Sequence, residues 1–345
     1  MSTPDNSGQV IISLNDGRRL HAPAGRSLFA TLRSNGIRIP TACGGKGACG
    51  LCKVRVFGDS PPVQPAESSS LTAVELADNV RLSCQVKPVN ALRIEISPDV
   101  LAAGEFKATV NGVRDLTHDI KEVRLAIQPP GSFSFRSGQF VVLRIPPYGS
   151  TRFATFRPFS LASSPGRPDM LELDIRRVRG GVATTYIFDH LKPGEALSLA
   201  GPYGDFWLRE SERELIFIAG GSGMAPILSI LEDAADRGIA RRAVFFFGAR
   251  SRADLFHIER IESLRRRLPD FRFVPALSSP APGDDWSGER GLITEALDRN
   301  IQSAANAAAY LCGSPAMINA CVSMLASKGI PESQVFYDKF TSCRP

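Results

Sequence analysis

Three cysteines stand close together in Thr41-Ala42-Cys43-Gly44-Gly45-Lys46-Gly47-Ala48-Cys49-Gly50-Leu51-Cys52-Lys53, and a fourth, Cys84, follows in Arg81-Leu82-Ser83-Cys84-Gln85. Four thiolates from one glycine-rich loop and one distant turn form the ligand set of a [2Fe–2S] centre. The glycines suit that task, because a loop wrapped around inorganic sulfide needs unusual backbone angles and N–H groups turned inward. Such a centre carries one electron at a time. The rest of the chain must therefore supply the electron and a place for it to go.

The elements that position this loop belong to a chain of 345 residues, longer than one domain usually runs. Its apolar and charged fractions are those of a globular protein, no run of about 18 apolar residues occurs, and no secretory signal pattern opens it. The expectation is a cytoplasmic protein with no integral membrane segment. Of seven cysteines, Cys312, Cys321 and Cys343 lie outside the loop set, an odd remainder that suits reduced thiols better than disulfides. The net charge of +6 is spread along the sequence. It reads first as solubility, with a docking face for an acidic partner as the lesser reading, and not as nucleic-acid binding, which needs clustered Lys and Arg.

Two short β-like runs, 9–14 and 18–22, are joined by Asn15-Asp16-Gly17, a hairpin signal. A helix opened by Ser27 and closed at Gly36 precedes the cysteine loop, and strands follow at 53–57 and 92–96. A proline loop at 61–65 and a helix-like piece at 71–76 lead to Cys84. Residues 1–101 thus read as a compact α+β domain able to hold one cluster, which the family resemblance given below implies to be a β-grasp-like ferredoxin domain, with 98–104 as a linker. Residues 102–209 alternate with period two and carry turn signals, predicting an antiparallel β-barrel of about six strands and one helix. From residue 210 to 345, fully apolar strands at 215–219, 243–247, 272–276 and 308–312 alternate with helix-length segments, the pattern of a Rossmann-like α/β domain.

Two motifs in this last segment bear on ligands. Strand 215–219 runs into Gly220-Gly221-Ser222-Gly223-Met224-Ala225-Pro226, where glycines admit a diphosphate and the following helix N-terminus favours an anion. Cys312-Gly313-Ser314-Pro315 ends the fourth strand, where open α/β sheets bind ligands, so the pair outlines a pyridine-nucleotide site. In the barrel, Arg157-Pro158-Phe159-Ser160 offers a phosphate clamp, a stacking ring and a hydroxyl. Gly180-Gly181-Val182-Ala183-Thr184 is a glycine turn feeding a helix. Either barrel segment alone is equally compatible with an ordinary turn.

These motifs, with Gly201-Pro202-Tyr203-Gly204, resemble the ferredoxin–NADP reductase superfamily. With the cysteine module in front, the whole chain is similar to reductase components of phenol hydroxylase and soluble methane monooxygenase. It is also similar to the FAD subunit of sodium-translocating NADH:quinone reductase, through Ala42 to Gly45, Phe247 to Ser251, Asp284-Asp285-Trp286 and Asp338-Lys339-Phe340. The leading membrane helix of that subunit has no counterpart here, which points away from quinone reduction. The cysteine spacing, with five residues between Cys43 and Cys49, is that of the pump subunit and one longer than the plant type.

The resemblance implies FAD held by Arg157 and Ser160, with Phe159 stacking on the flavin and Ser160 near its N5, and Gly181, Val182 and Thr184 at the diphosphate. It implies NADH received by Gly221, Ser222, Gly223 and Met224, with Cys312 and Gly313 at the nicotinamide end and Phe340 beside the flavin. Ser160 and Cys312 are the implied catalytic residues, and Cys43, Cys49, Cys52 and Cys84 the metal ligands. Electrons would pass from NADH to FAD to the cluster and on to a separate protein acceptor, an oxygenase hydroxylase or ferredoxin-like component. The alternative is an NADH:quinone or small-acceptor reductase; a carrier fused to a degenerate reductase fits the intact motifs less well. Arg250 and Arg252 after the second parallel strand favour NADPH, whereas the surrounding Gly248-Ala249-Arg250-Ser251 context favours NADH. His21, His118, His190 and His257 show no metal spacing and read as surface or packing residues, and Arg176 and Arg177 as solvent-facing.

Overall fold

The computed structural model describes residues 8–129, 131–281 and 283–340, so the reading of Cys343 lies outside the described residues. Three sheets follow one another along the chain, each on its own apolar core. The first holds β1 (Gln9–Leu14), β2 (Arg19–Pro23), β3 (Lys53–Phe57), β4 (Val80–Leu82) and β5 (Leu92–Glu95) in the order β2-β1-β5-β3-β4. Helix α1 (Leu28–Ser34) is capped by the Ser27 side chain and buries Leu28, Phe29 and Leu32 against this sheet.

Two expectations change here. The proline stretch before Cys84 is helical from Pro65, forming α2 (Pro65–Ser70), because a proline fits the first helical position, where its missing N–H is not needed. A second short helix, α3 (Ala73–Ala77), follows. The expected linker contains α4 (Pro98–Ala102), and the adjoining Val100 and Ala103 pack with Phe140, Val142 and Tyr203 of the next unit.

The second sheet is wholly antiparallel: β6 (Gly104–Asp115), β7 (Ile120–Ile127), β8 (Phe140–Ile145), β9 (Thr155–Ser160), β10 (Met170–Arg176) and β11 (Ala196–Tyr203), ordered β10-β7-β6-β11-β8-β9. Its curled ends meet at the Leu161–Leu173 bridge, next to β9 and within β10. Helix α5 (Val182–Asp189) closes one end.

The third sheet is wholly parallel and covered on both faces. Its strands are β12 (Glu214–Gly220), β13 (Ala243–Ala249), β14 (Phe271–Leu277), β15 (Glu289–Arg290), β16 (Ala307–Gly313) and β17 (Val335–Lys339), ordered β15-β14-β13-β12-β16-β17. The expected four central strands are joined by two short edge strands. Helices α6 (Met224–Asp236) and α7 (Ile258–Leu264) cover one face, and α8 (Ile293–Asn300) and α9 (Pro315–Ser327) the other. Pro226 is the third residue of α6, within the turn that tolerates proline. Cys321 is buried in the α8/α9 core as a packing residue.

Candidate functional site

The cysteine loop packs on α1 through Phe29, whose ring lies under Gly45. Gly47 takes φ +79°, and a Cβ there would meet Gln85 Nε2 at 2.7 Å. A side chain at that position would be strained and would also displace the amide that donates to Cys84 Sγ at 3.4 Å. Cys84 is held in place by a group the sequence reading passed over. Arg81 and Glu67, both buried, form a bidentate pair at 2.8 and 2.9 Å, and Glu67 also accepts from the Leu82 N–H at 2.9 Å. Burial opposes ionisation of Glu67, but Arg81 and the N–H groups of Gln64 and Leu82 outweigh it and hold the carboxyl below its usual range.

The four sulfurs fit a [2Fe–2S] centre. Cys52 and Cys84 are buried with their sulfurs 3.4 Å apart, and Cys43 and Cys49 are half-exposed at the rim. Burial raises the Cys43 thiol, yet N–H donors from Ala48, Gly45 and Lys46 and the Cys49 thiol bring it down to about 7. Cys52, Gln85 and the Gly47 N–H bring Cys84 down to about 6 against its burial. Inward-turned amides that favour thiolate are the donor environment a sulfur-ligated cluster requires.

On the barrel, Arg157 and Phe159 are half-buried on β9, and Ser160 is buried at its end. Arg157 Nη1 donates to Ala42 O at 2.8 Å, the carbonyl of the residue before Cys43. At α5, the first intrahelical bond runs from the Thr185 N–H to Gly181 O. The N–H groups of Val182, Ala183 and Thr184 thus have no backbone partner among the described residues, a donor set that fits an anionic diphosphate. The Thr184 hydroxyl is engaged with the backbone of Val178 and Gly181, which leaves its N–H as the group open to an anion.

The third sheet carries a cleft of about 330 Å³ at the carboxyl ends of its strands, lined by Gly221, Gly248, Arg250, Ser278, Ser314 and Met317. Gly221 to Gly223 form one turn of 3₁₀ helix between β12 and α6. Cys312 is fully buried at the end of β16, where burial and Asp338 push its thiol well above the usual range. The Phe340 N–H donates to Gly313 O at 2.8 Å. Burial and Asp205 push the Asp338 carboxyl up to about 6 against the pull of Lys53.

Three domain models match consecutive parts of the chain: the 2Fe-2S iron-sulfur cluster binding domain over residues 12–89, the oxidoreductase FAD-binding domain over 107–207 and the oxidoreductase NAD-binding domain over 217–323. The phenol hydroxylase P5 protein of Acinetobacter pittii is 37% identical over 323 residues, covering 91% of this chain and 89% of the relative. The chain belongs to the ferredoxin–NADP reductase superfamily. It is an NAD(P)H-dependent oxidoreductase with flavin and [2Fe–2S] cofactors. A subunit of the Na(+)-translocating NADH-quinone reductase of Neisseria gonorrhoeae is 31% identical, covering 97% of this chain and 92% of that one. Among solved structures, the Amycolatopsis cytochrome P450 reductase GcoB matches with a TM-score of 0.77 and 31% identity over 96% of this chain and 99% of that one. A ferredoxin reductase in carbazole 1,9a-dioxygenase matches with a TM-score of 0.70 and 26% identity over 96% and 98%.

Three side chains of the reductase have partners that the sequence does not state. Arg176 is exposed, as expected, and sits at the cleft rim against Gly221, paired with Asp119 at 2.7 Å. His257 is buried, takes φ +56° and contacts Asp174 of β10 at 3.1 Å. With Glu122 these groups lie within 4.8 Å of one another, but Glu122 already pairs with Arg114 and Arg124. Together with Arg260, which binds Glu172 of β10 and Glu232 of α6, they lock the barrel to the third sheet. Lys53, the residue after Cys52, is paired with Glu75 at 2.5 Å. No helix among the described residues is long and apolar enough to cross a membrane.

Proposed function

We propose that the chain is the reductase component of an oxygenase system, taking a hydride from NADH and delivering electrons through its cluster to a separate hydroxylase or ferredoxin-like protein. The observation that carries this reading is the Arg157 hydrogen bond to Ala42 O, which ties the flavin strand to the rim of the cysteine loop while Cys43 and Cys49 still reach the surface. When bound, FAD would supply the conversion between a two-electron hydride donor and a one-electron [2Fe–2S] carrier.

The chain's own residues place these groups. Val182, Ala183 and Thr184 offer N–H donors for the FAD diphosphate, Arg157 its charge, and Phe159 a ring face. Ser160 offers a hydroxyl to the flavin ring from the end of β9. Gly221 to Met224 and Gly313 would receive the nicotinamide nucleotide, and Phe340 would stand near the flavin. Cys312 remains a neutral thiol, so it acts by filling space beside the nicotinamide rather than by moving a proton. Cys43, Cys49, Cys52 and Cys84 hold the cluster. We take domain boundaries at 101/102 and 209/210, with α4 packed across the first through Val100 and the adjoining Ala103, and Ile120 and Phe206 packed across the second.

The test is direct: purified protein should be yellow-brown and reduce cytochrome c with NADH. A colourless, inactive preparation after cluster reconstitution would refute the reading. The second reading, an NADH:quinone reductase, draws on the likeness to the pump subunit. A turnover with soluble quinone that exceeds the rate with every protein acceptor tried would favour it.

Two side-chain predictions belong to this reading. Arg252 is bound by Asp284 at 2.9 Å and Asp285 at 2.6 Å and lies over Trp286, so it is not free for a ribose 2′-phosphate. NADH should exceed NADPH in kcat/KM by about tenfold or more, and the double variant Asp284→Asn/Asp285→Asn should narrow that ratio several-fold. A wild-type preference for NADPH would contradict it. With Lys53 paired, the exposed Lys46 is the lysine left to favour the reduced cluster. Lys46→Glu, a two-unit charge change about 10 Å away in water, should lower the cluster midpoint by about 30 mV in a redox titration at low salt. An unchanged midpoint would remove that role.

A further inference from the structure

Residues 17 to 58, which build β2, α1, the cysteine loop and β3, contain eight Lys or Arg and no Asp or Glu. Four of these cations are satisfied by acids from elsewhere: Arg18 by Asp16, Arg38 by Glu105, Lys53 by Glu75 and Arg55 by Glu95. Arg19, Arg26, Arg33 and Lys46 have no carboxylate partner among the described residues. Arg19 opens the edge strand β2, whereas the other three gather at the cysteine loop.

The gathering is fixed by packing. Arg26 and Arg33 bracket α1; Arg26 reaches Ala30 O at 3.4 Å, and the Arg33 guanidinium lies 5.5 Å from the Phe29 ring centre. That ring is the one seated under Gly45, so the cationic face of α1 and the loop adjoin through Phe29. Between them lies a shallow depression of about 510 Å³ lined by Arg26, Phe29, Ala30, Arg33, Gly44 and Gly45. Its floor begins at the residue after Cys43, and Lys46 stands exposed one residue beyond Gly45.

Helix stability does not account for both arginines. Arg33, in the last turn, complements the negative end of the helix dipole. Arg26 stands just before the N-cap, where a cation is unfavourable, and the first turn of α1 contains no acid to offset it. A cation kept at an electrostatic cost, open to solvent and beside the electron's exit, needs a partner outside the chain.

We propose that Arg26, Arg33 and Lys46 form the docking surface for an acidic face of the protein that accepts the electron, seating carboxylates in the depression next to Cys43. The assignment rests on the reading that electrons leave through the cluster. An acidic partner is favoured because Arg26, Arg33 and Lys46 keep their charge uncompensated while Arg18, Arg38, Lys53 and Arg55 of the same segment are paired.

The experiment uses the loaded full-length protein, NADH, and two haem proteins of opposite charge as probes: acidic cytochrome b5 and basic cytochrome c. In the variant Arg26→Glu/Arg33→Glu, kcat/KM for cytochrome b5 should fall by about tenfold or more and lose most of its salt dependence. The rate with cytochrome c should hold or rise, and anaerobic flavin bleaching by NADH should be unchanged, which reports an intact variant. An unchanged cytochrome b5 rate, or an equal fall with cytochrome c, overturns the proposal. Binding to phosphatidylglycerol vesicles that is lost in the variant while cytochrome b5 reduction persists also overturns it, reassigning the patch to a lipid surface. If protein lacking the cluster reduces cytochrome b5 as fast as the intact protein, the exit reading itself fails. An intact cluster requirement with a normal charge-reversed variant removes only the docking surface.

Discussion

Replacing Cys84 with alanine should abolish the cluster's visible absorbance and lower NADH-dependent reduction of a protein acceptor by about 100-fold or more, while leaving FAD bound. Cys84 is the proposed ligand from outside the loop, buried 3.4 Å from Cys52 and fixed by the Glu67–Arg81 clamp on the segment before it. Without its sulfur, three thiolates remain for a centre that needs four. The barrel and the third sheet have their own cores, so they should stay folded. Ferricyanide, which draws electrons from the flavin, should still be reduced within about threefold of the wild-type rate. Flavin content and bleaching by NADH separate this result from general unfolding. A Cys84→Ala protein that reduces cytochrome b5 at the wild-type rate would show that the cluster is not on the path.

The second large effect is expected at the opposite end of that path. A Cβ at Gly223 would stand 2.2 Å from Cys312 O and 2.9 Å from Gly313 N. These are backbone atoms of the neighbouring strand, so no rotamer change relieves the contact, and the ends of β12 and β16 must part. The displacement would reach the Phe340 N–H, which bonds to Gly313 O. Gly223→Ala should therefore raise KM for NADH about tenfold and lower kcat/KM by about 100-fold, since a shift of an ångström at a hydride-transfer site has effects of that order. The melting temperature should fall, with cluster absorbance and FAD content retained. Kinetics within twofold of wild type would mean that the nucleotide does not lie on this turn.

The parts legible in the sequence were those where chemistry restricts residue type. The cysteine loop, the turn at Gly220 to Gly223 and the fully apolar parallel strands stand out because thiolate ligands, close backbone approach and two-sided burial each admit few alternatives. Pro65 was opaque because the same residue punctuates loops and opens helices, and the Glu67–Arg81 pair because its partners lie 14 residues apart on different elements. Edge strands β15 and β17 are too short or too polar to show a period. The Arg157 bond to Ala42 spans 115 residues, and no local pattern states which domain faces which. For the same reason His257 read as a surface or packing residue, although it closes on Asp174 across 83 residues.

The central claim is that the cluster held by Cys43, Cys49, Cys52 and Cys84 is the obligatory exit for electrons that enter from NADH. Rapid-freeze electron paramagnetic resonance after anaerobic mixing of the loaded protein with NADH tests it most directly. The account predicts that the signal of a reduced [2Fe–2S] centre appears at least as fast as steady-state turnover with a protein acceptor, and decays when that acceptor is added. A centre that stays oxidised while the acceptor is being reduced would contradict it.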